Sequence, residues 1–284
     1  LLAAGLCVGA NAWAGVTLPT PVYTQDFESA STTVGEAGSN FGITGATLTG
    51  SAGTIGTNDA LFGQYYKNNA GSDSRTNYLT LSTTAFSAMS SPDGVTISFW
   101  LNAYGITDTN HWGSIFVAYG SEGNSGHGYP FAFDTRACLA VHSSLFETFF
   151  DDNGSQLNSW RTTGEDFASS WHHVALVYSL DKSEEPYKVI IKQYVDGILL
   201  QTYNVTNGFG IDLNADPQVT ETTQPTNTIF DHFDQLSEIV IGGNSPVWAD
   251  PDNSYAYDEI NIYSEALTVP QIQKLYYEKL GNTM

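Results

Sequence analysis

Apolar residues in this chain fall in short runs broken by Gly, Asn, Asp and Pro, and many of the runs are rich in Val, Ile, Tyr, Phe and Trp. Such runs suit a pleated, half-buried surface. They predict strands over residues 22–27, 78–81, 95–104, 114–119, 129–134, 138–143, 145–150, 172–179, 187–195, 198–204, 238–242 and 255–263. The sharpest local signal is Asp196-Gly197 between two apolar segments, because this pair accepts the positive φ angles of a two-residue hairpin turn. The stretch Trp171 to Tyr178 is apolar at both alternating sets of positions, which predicts a central strand covered on both sides. Near the end of the chain the period changes to helical: Val269, Ile272, Leu275, Tyr276 and Leu280 form a stripe, and Thr268 with Gln271 forms a capping box. Residues 205–236, interrupted by Gly208, Gly210, Asn214, Asp216, Pro217 and Pro225, read as a long loop of the kind that carries binding on a rigid scaffold.

So many short strands and one helix imply an all-β sandwich or barrel, and no linker or fixed-period repeat divides the chain. Residues 15–284 therefore read as a single domain. Composition adds two constraints. Of 284 residues, nine are basic and thirty acidic, a formal charge of −21, so a phosphate backbone would be repelled and nucleic acid is excluded as an expected partner. Residues 1–14 read as a signal peptide remnant: an uncharged apolar run ends in Ala12-Trp13-Ala14, a pattern that suits signal peptidase. The run is far short of the roughly 20 residues needed to span a bilayer, so the expected mature chain has no transmembrane segment and is secreted or at the cell surface, extracellular or periplasmic. Cys7 keeps lipid anchoring open as the alternative to cleavage after Ala14. Cys138 would then be the sole thiol, with no disulfide to staple the domain, and its apolar neighbours suggest an inert side chain.

Five blocks carry a resemblance to a known family: Val95-Thr96-Ile97-Ser98-Phe99-Trp100, Trp171-His172-His173-Val174-Ala175, Tyr194-Val195-Asp196-Gly197, Ile239-Val240-Ile241-Gly242-Gly243, and the closing run from Tyr257 to Leu267. In this order they resemble the concanavalin A-like lectin/glucanase superfamily, in particular the laminin G-like (LamG) jelly roll domains of secreted bacterial proteins. The resemblance implies a two-sheet antiparallel jelly roll sandwich with a short C-terminal helix. Trp100, Trp171, His172 and His173 then belong to strands that form the core. The same scaffold hosts lectins, glycosidases, lyases and adhesion modules, so it fixes fold far better than function. It also implies a structural Ca²⁺ where the first and last strands meet, with Asp26 or Glu28 and Asp258 as carboxylate ligands. Calcium needs about six to eight oxygens and would relieve repulsion between pinned carboxylates. The alternative is that Asp26 and Glu28 simply face water.

Spacing constrains the remaining chemistry. Glycoside hydrolysis needs two carboxyls about 5 to 9.5 Å apart. Glu147 and Asp151 on one strand would stand roughly 13 Å apart, Glu165-Asp166 and Glu184-Glu185 fall among loop residues, and Asp258-Glu259, as strand neighbours, should point to opposite faces. A pair assembled from distant strands stays open. No nucleophile elbow or phosphate-binding glycine loop is present, and the other histidines lack metal spacing. What remains is an aromatic-rich acidic surface. Trp112, Trp160 and Trp248, with Tyr129, sit among polar and turn-forming residues and are the candidate platforms for sugar rings, the alternative being loop plugs over the sandwich edge. The expected function is a secreted, non-catalytic, lectin-like domain binding a glycan or other cell-surface ligand, with structural calcium. The alternatives are a glycoside hydrolase or polysaccharide lyase with a dispersed active site, and a protein-binding adhesion module.

Overall fold

The computed structural model describes residues 15–30, 45–50, 53–68, 77–84, 89, 93–102, 114–120, 132–136, 141–142, 170–183, 188–205, 236–243 and 255–281. Two antiparallel sheets lie face to face. The larger runs β12 (Ile198–Val205), β11 (Lys188–Val195), β10 (Trp171–Asp181), β6 (Gly94–Asn102), β14 (Ala256–Tyr263), β4 (Gly63–Lys67), β3 (Thr54–Asp59), with β1 (Tyr23–Gln25) also paired to β14. The smaller runs β2 (Ala46–Thr49), β5 (Tyr78–Leu81), β13 (Leu236–Ile241), β7 (Ser114–Gly120), β8 (Ala132–Arg136), β9 (Val141–His142). One helix, α1 (Val269–Gly281), follows β14. The expected two-sheet jelly roll with a C-terminal helix is what the chain forms.

Alternation along the central strands explains why both faces of the large sheet are filled. On β6, Val95, Ile97, Phe99 and Leu101 point between the sheets, and on β10 Val174, Leu176 and Tyr178 join them, in register at Phe99–Val174 and Ile97–Leu176. They meet Leu48, Leu79, Leu81, Phe116, Ile239 and Ile241 of the smaller sheet. The other positions face outward, yet every residue of β6 is buried, because α1 lies across that outer face. Ala175, Val177, Tyr194 and Tyr263 pack there against Leu267 and Ile272. Thr96, a polar residue on this covered face, is satisfied by the strand-to-helix link: its Oγ1 donates to the Glu265 carbonyl (2.8 Å) and accepts from the Leu267 N–H (2.9 Å).

The motif blocks of the sequence are physically interlocked. Asp196 and Gly197 have φ of 52° and 75°, as the hairpin turn between β11 and β12 demands. The Asp196 carboxylate then bridges to β10, accepting from the His173 N–H (3.0 Å) and pairing with His172 Nδ1 (2.7 Å). Gly242, at φ 80°, is approached so closely by Asn68 that an added Cβ would lie 2.7 Å from its Nδ2. Asn68 uses that proximity to donate to the carbonyls of Asn77 (2.9 Å) and Gly242 (3.1 Å), while the Tyr66 hydroxyl donates to its Oδ1 (2.9 Å), so one buried amide ties the end of β4 to the smaller sheet.

Three strands escape the sequence pattern: β2, β3 and β4. At the start of α1, Gln271 reaches back to accept from the Thr268 N–H (2.8 Å) as the capping box requires, although the Thr268 hydroxyl donates to the same amide oxygen instead of capping the helix backbone. Val269 is exposed rather than part of the buried stripe. The predicted strand at 145–150, the leader at residues 1–14 with Cys7, Cys138, and nearly all of the loop over 205–236 lie outside the described residues.

The Asp196 bridge gives a direct test. Asp196→Ala removes two hydrogen bonds to a charged acceptor and is expected to cost about 2 kcal/mol in urea unfolding. Asp196→Asn, which tolerates the left-handed turn but accepts through one oxygen, should cost about half as much.

Candidate functional site

Beneath the C-terminal half of α1 the outer face of the large sheet changes from apolar to ionisable. The cause is a break in β14. Along one edge this strand pairs with β4 at Ala256 and Tyr257, then with β1 from Ile260 onward, leaving Asp258 and Glu259 opposite the gap. On the other edge the register to β6 slips between Asp258 and Asn261, with Glu259 in the left-handed region at φ 49°. This is a bulge: two residues oppose one. It resets the alternation, so that Tyr257, Ile260 and Ile262 stay in the inter-sheet core while Asp258 and Glu259 both reach the outer face. The expectation that these two carboxyls point to opposite faces is therefore corrected, and the bulge is the reason.

Both carboxyls converge on one amine. Lys279, in the last turn of α1, places Nζ 2.5 Å from Glu259 Oε1 and 3.9 Å from Asp258 Oδ2, and 5.0 Å over the Phe62 ring. Asp258 is completely buried and neither of its oxygens makes a hydrogen bond of normal geometry. Burial, chiefly, pushes its carboxyl up to about 9; the Glu259 and Glu28 charges add to the rise, and the Glu259 N–H and Lys279 oppose it. Without a bound cation Asp258 therefore holds a proton at neutral pH.

Aromatic side chains wall this cluster. Asp59 Oδ1 accepts from the N–H groups of Leu61 (2.9 Å) and Phe62 (3.0 Å), fixing the β3–β4 turn that presents Phe62. Phe62 packs on Trp100 (centroids 5.0 Å apart) and Trp171 (4.3 Å), and Trp100 is stacked on Tyr276 of α1 (5.6 Å). The two motif tryptophans are thus on the outer face rather than between the sheets: Trp100 is buried under the helix, and Trp171 is half-buried, with its Nε1 donating to Asp59 Oδ2 (3.3 Å).

Next to the cluster, between α1 and the sheet, is a cavity of about 220 Å³ whose walls include Ser98, His173, Asn261, Glu259, Glu278 and Lys279. His173 Nε2 lies 2.8 Å from Ser98 Oγ. Burial lowers its pKa to about 4, against an opposing pull from Asp196, so the ring is neutral near pH 7. Among the described residues none pairs with His173 Nδ1 to orient the ring toward Ser98, which is itself almost wholly buried. His173 is buried in its strand.

Of the three residues expected to hold calcium, Asp258 has the orphaned buried oxygens that a cation would satisfy, and Glu28 is near enough for its charge to be felt there. Those two fit. Asp26 is exposed and turned back on the chain, its Oδ1 accepting from the Glu28 N–H (3.2 Å). With the Gln64 amide turned so that its nitrogen faces them, the carbonyls of Phe27 and Ala30 accept from it (3.1 and 2.8 Å). Among the described residues no group of three or more acids, histidines or cysteines is gathered to hold a metal. Trp112, Tyr129, Trp160 and Trp248 lie outside the described residues. Sequence reasoning missed Glu259, Lys279 and Phe62; an alternating strand pattern contains no sign of a bulge centred on a glutamate.

Two packed antiparallel sheets with a helix across the outer face define a concanavalin A-like sandwich. The family profile Laminin_G_3, described as Concanavalin A-like lectin/glucanases superfamily, matches residues 73–273, and the chain belongs to that family. No curated protein matches the chain. Among solved structures it is similar in fold to the receptor binding domain of botulinum neurotoxin C/D mosaic serotype (14% identity, TM-score 0.48, covering 91% of this chain and 51% of that one). It is also similar to a mutant of HCR/D (12%, 0.50, 92% and 53%) and to the botulinum neurotoxin type G receptor binding domain (13%, 0.43, 92% and 52%). The chain spans about half the length of these neighbours. No described helix is long and apolar enough to cross a membrane.

The two buried groups predict opposing pH dependences when calcium is chelated. Asp258 is protonated when folded and ionised when unfolded between about pH 4 and 9, so its contribution falls as pH rises through that window. His173 is neutral when folded and charged when unfolded between about pH 4 and 6.5, so its contribution falls as pH drops through that range. Below about 6.5 the two slopes offset. Above it, stability should decline toward pH 9 by up to roughly 1 kcal/mol per unit, and Asp258→Asn should abolish that decline in denaturant titrations run across the pH range.

Proposed function

We propose that this protein is a secreted or cell-surface, non-catalytic ligand-binding domain that recognises glycans through loops at one end of the sandwich, with Ca²⁺ as a structural ion held by Asp258 and Glu28. The observation that carries the reading is the placement of the convergent carboxyls. Membership of a superfamily that contains both lectins and glucanases leaves the choice between binding and hydrolysis to the site. Asp258, with its raised pKa, and Glu259 would in an open cleft resemble a general acid and its partner. Here Asp258 is fully buried beside Lys279 of α1, and Glu259 is held by the same lysine. No sugar chain can enter between them without lifting the helix. Their chemistry suits a charge cluster that fixes the helix to the sheet, which leaves ligand contacts to the rest of the surface.

The negative charge of the whole chain supports a neutral rather than an anionic polysaccharide as ligand, since a sulfated or uronate chain would be repelled. The aromatic candidates Trp112, Trp160, Trp248 and Tyr129 are proposed as the stacking residues, as expected from their polar, turn-forming sequence surroundings.

A glycan array followed by calorimetry on the hits tests this. Binding to neutral oligosaccharides without release of reducing ends or unsaturated products is expected. Product release from a polysaccharide panel would replace the reading with a dispersed active site, and silence on the array with capture of a purified surface protein would replace it with an adhesion module. For the ion, chelation is expected to lower the melting temperature, and Asp258→Ala to remove that sensitivity; an unchanged melting curve on chelation would eliminate structural calcium.

A further inference from the structure

Four large apolar side chains are exposed among the described residues, and all four sit at one corner of the sandwich: Ile198 (66%), Leu199 (45%), Val269 (43%) and Tyr277 (40%). Ile198 and Leu199 open β12, directly after the turn at Asp196-Gly197. The helix reaches the same turn, since a Cβ added to Gly197 would lie 3.4 Å from Gln273 and 3.5 Å from Tyr276. Val269 and Tyr277 stand one turn before and one turn after Gln273, on the same side of α1. Beside this corner runs an unprotected strand edge. Among the described residues β12 pairs with β11 alone, which makes it the last strand of the large sheet, with one row of backbone N–H and C=O groups outside the ladder. Long edge strands are ordinarily blunted by a lysine, a proline or a covering element. β12 runs from Ile198 to Val205 without a charge or a proline, and Thr202 within it is exposed. Its one irregularity, the slip opposite Gln193 and Tyr194, lies near its start and leaves Gln201 to Val205 in regular register.

Charge decides what can pair with that edge. The chain as a whole carries −21, yet residues 170–205, which hold β10, β11 and β12, contain three basic residues (Lys182, Lys188, Lys192) against four acidic ones (Asp181, Glu184, Glu185, Asp196), a net −1. Two copies meeting here therefore approach through a nearly neutral part of a strongly acidic molecule. A strand with no charge also gives a foreign partner nothing to select by sign. An antiparallel ladder, by contrast, is symmetric about a two-fold axis, so such an edge is its own complement. We propose that β12 is a self-association edge: two copies pair β12 antiparallel to β12 about a two-fold axis, joining their large sheets into one, while the apolar corner of each copy covers the end of the other's edge strand. The ladder supplies the register. The corner, repeated at both ends by the two-fold, supplies the apolar burial that a bare ladder lacks. This inference goes beyond the glycan and calcium readings and is independent of them, since none of its residues belongs to either.

Sedimentation velocity on the full chain over a concentration series, at low and at moderate salt, tests this. Wild type is expected to pass from monomer to dimer as concentration rises, and salt should strengthen the dimer by screening the negative charge of the two copies. Thr202→Lys sets two ammonium groups against each other near the two-fold axis and should weaken dimerisation about tenfold or more. Leu199→Lys, in the apolar corner, should act in the same direction. Both side chains are exposed, so the variants should melt with wild type where all three are monomeric; if Thr202→Lys does not fold, Leu199→Lys takes its place. Amide exchange gives the second readout: protection in β12 should rise with concentration in wild type but not in Thr202→Lys, while β3 at the opposite edge of the sheet stays unchanged. A wild type that is monomeric throughout, whether or not it captures a foreign strand, would overturn the proposal. So would a dimer that Thr202→Lys leaves intact, because its contact would then lie away from β12; loss of that dimer with Tyr277→Lys would place it on the helix alone.

Discussion

A sheet in a sandwich has two faces, and hydrophobic burial satisfies only the one turned to its partner. In this protein the central strands carry apolar or aromatic side chains on both faces, so the outer face also has to be covered, and α1 is the element that covers it. The arrangement around the site follows from that requirement. The helix has to lie flat over β6, β10 and β14, which brings Tyr276 onto Trp100 and Ile272 into the apolar patch with Val177 and Tyr194. Its last turn then hangs over the one place where β14 is irregular, and the lysine there meets the two acids that the irregularity exposes.

The same requirement separates stability from recognition. Asp258, Glu259 and Lys279 lie between the helix and the sheet, where they can hold one to the other. The burial of Asp258 is unfavourable to its charged form, and a protein keeps such a group only where the alternatives, a proton or a cation, are locally at hand. Both are at hand here, one from water and one from Lys279.

Much of the frame could be read from the residues alone. Asp196-Gly197 announces its turn because few other pairs accept two positive φ angles in succession, and β10 announces itself by being apolar at every position from Val174 to Val177. The helix is legible because its capping box and apolar stripe are local. By contrast, β3 contains Thr54, Gly56, Thr57 and Asp59, and β2 is short and rich in threonine, so neither shows an apolar alternation; β3 is a strand through its hairpin with β4 and β2 through pairing with the more distant β5. The site was half legible. Asp258 stood out through its family motif, but the partner that gives it meaning is reached through a bulge at Glu259 and a helix residue twenty positions on, and neither follows from strand alternation.

The pairing of β1 with β14 has a mechanical side. Tyr23 at the head of β1 lies beside Ile262 near the tail of β14, so the chain enters and leaves this pair at one end. Tension drawn through the two flanking segments would peel the rungs apart singly, as a zipper opens, instead of loading all of them together in shear. Before that, it would have to free residues 16 and 17, whose carbonyls are gripped by Lys274 (2.6 Å) and Gln271 (2.9 Å) of the helix. A pull from both sides would therefore reach these rungs only once α1, which holds those carbonyls and packs on the sheet through Ile272 and Tyr276, had been lifted away.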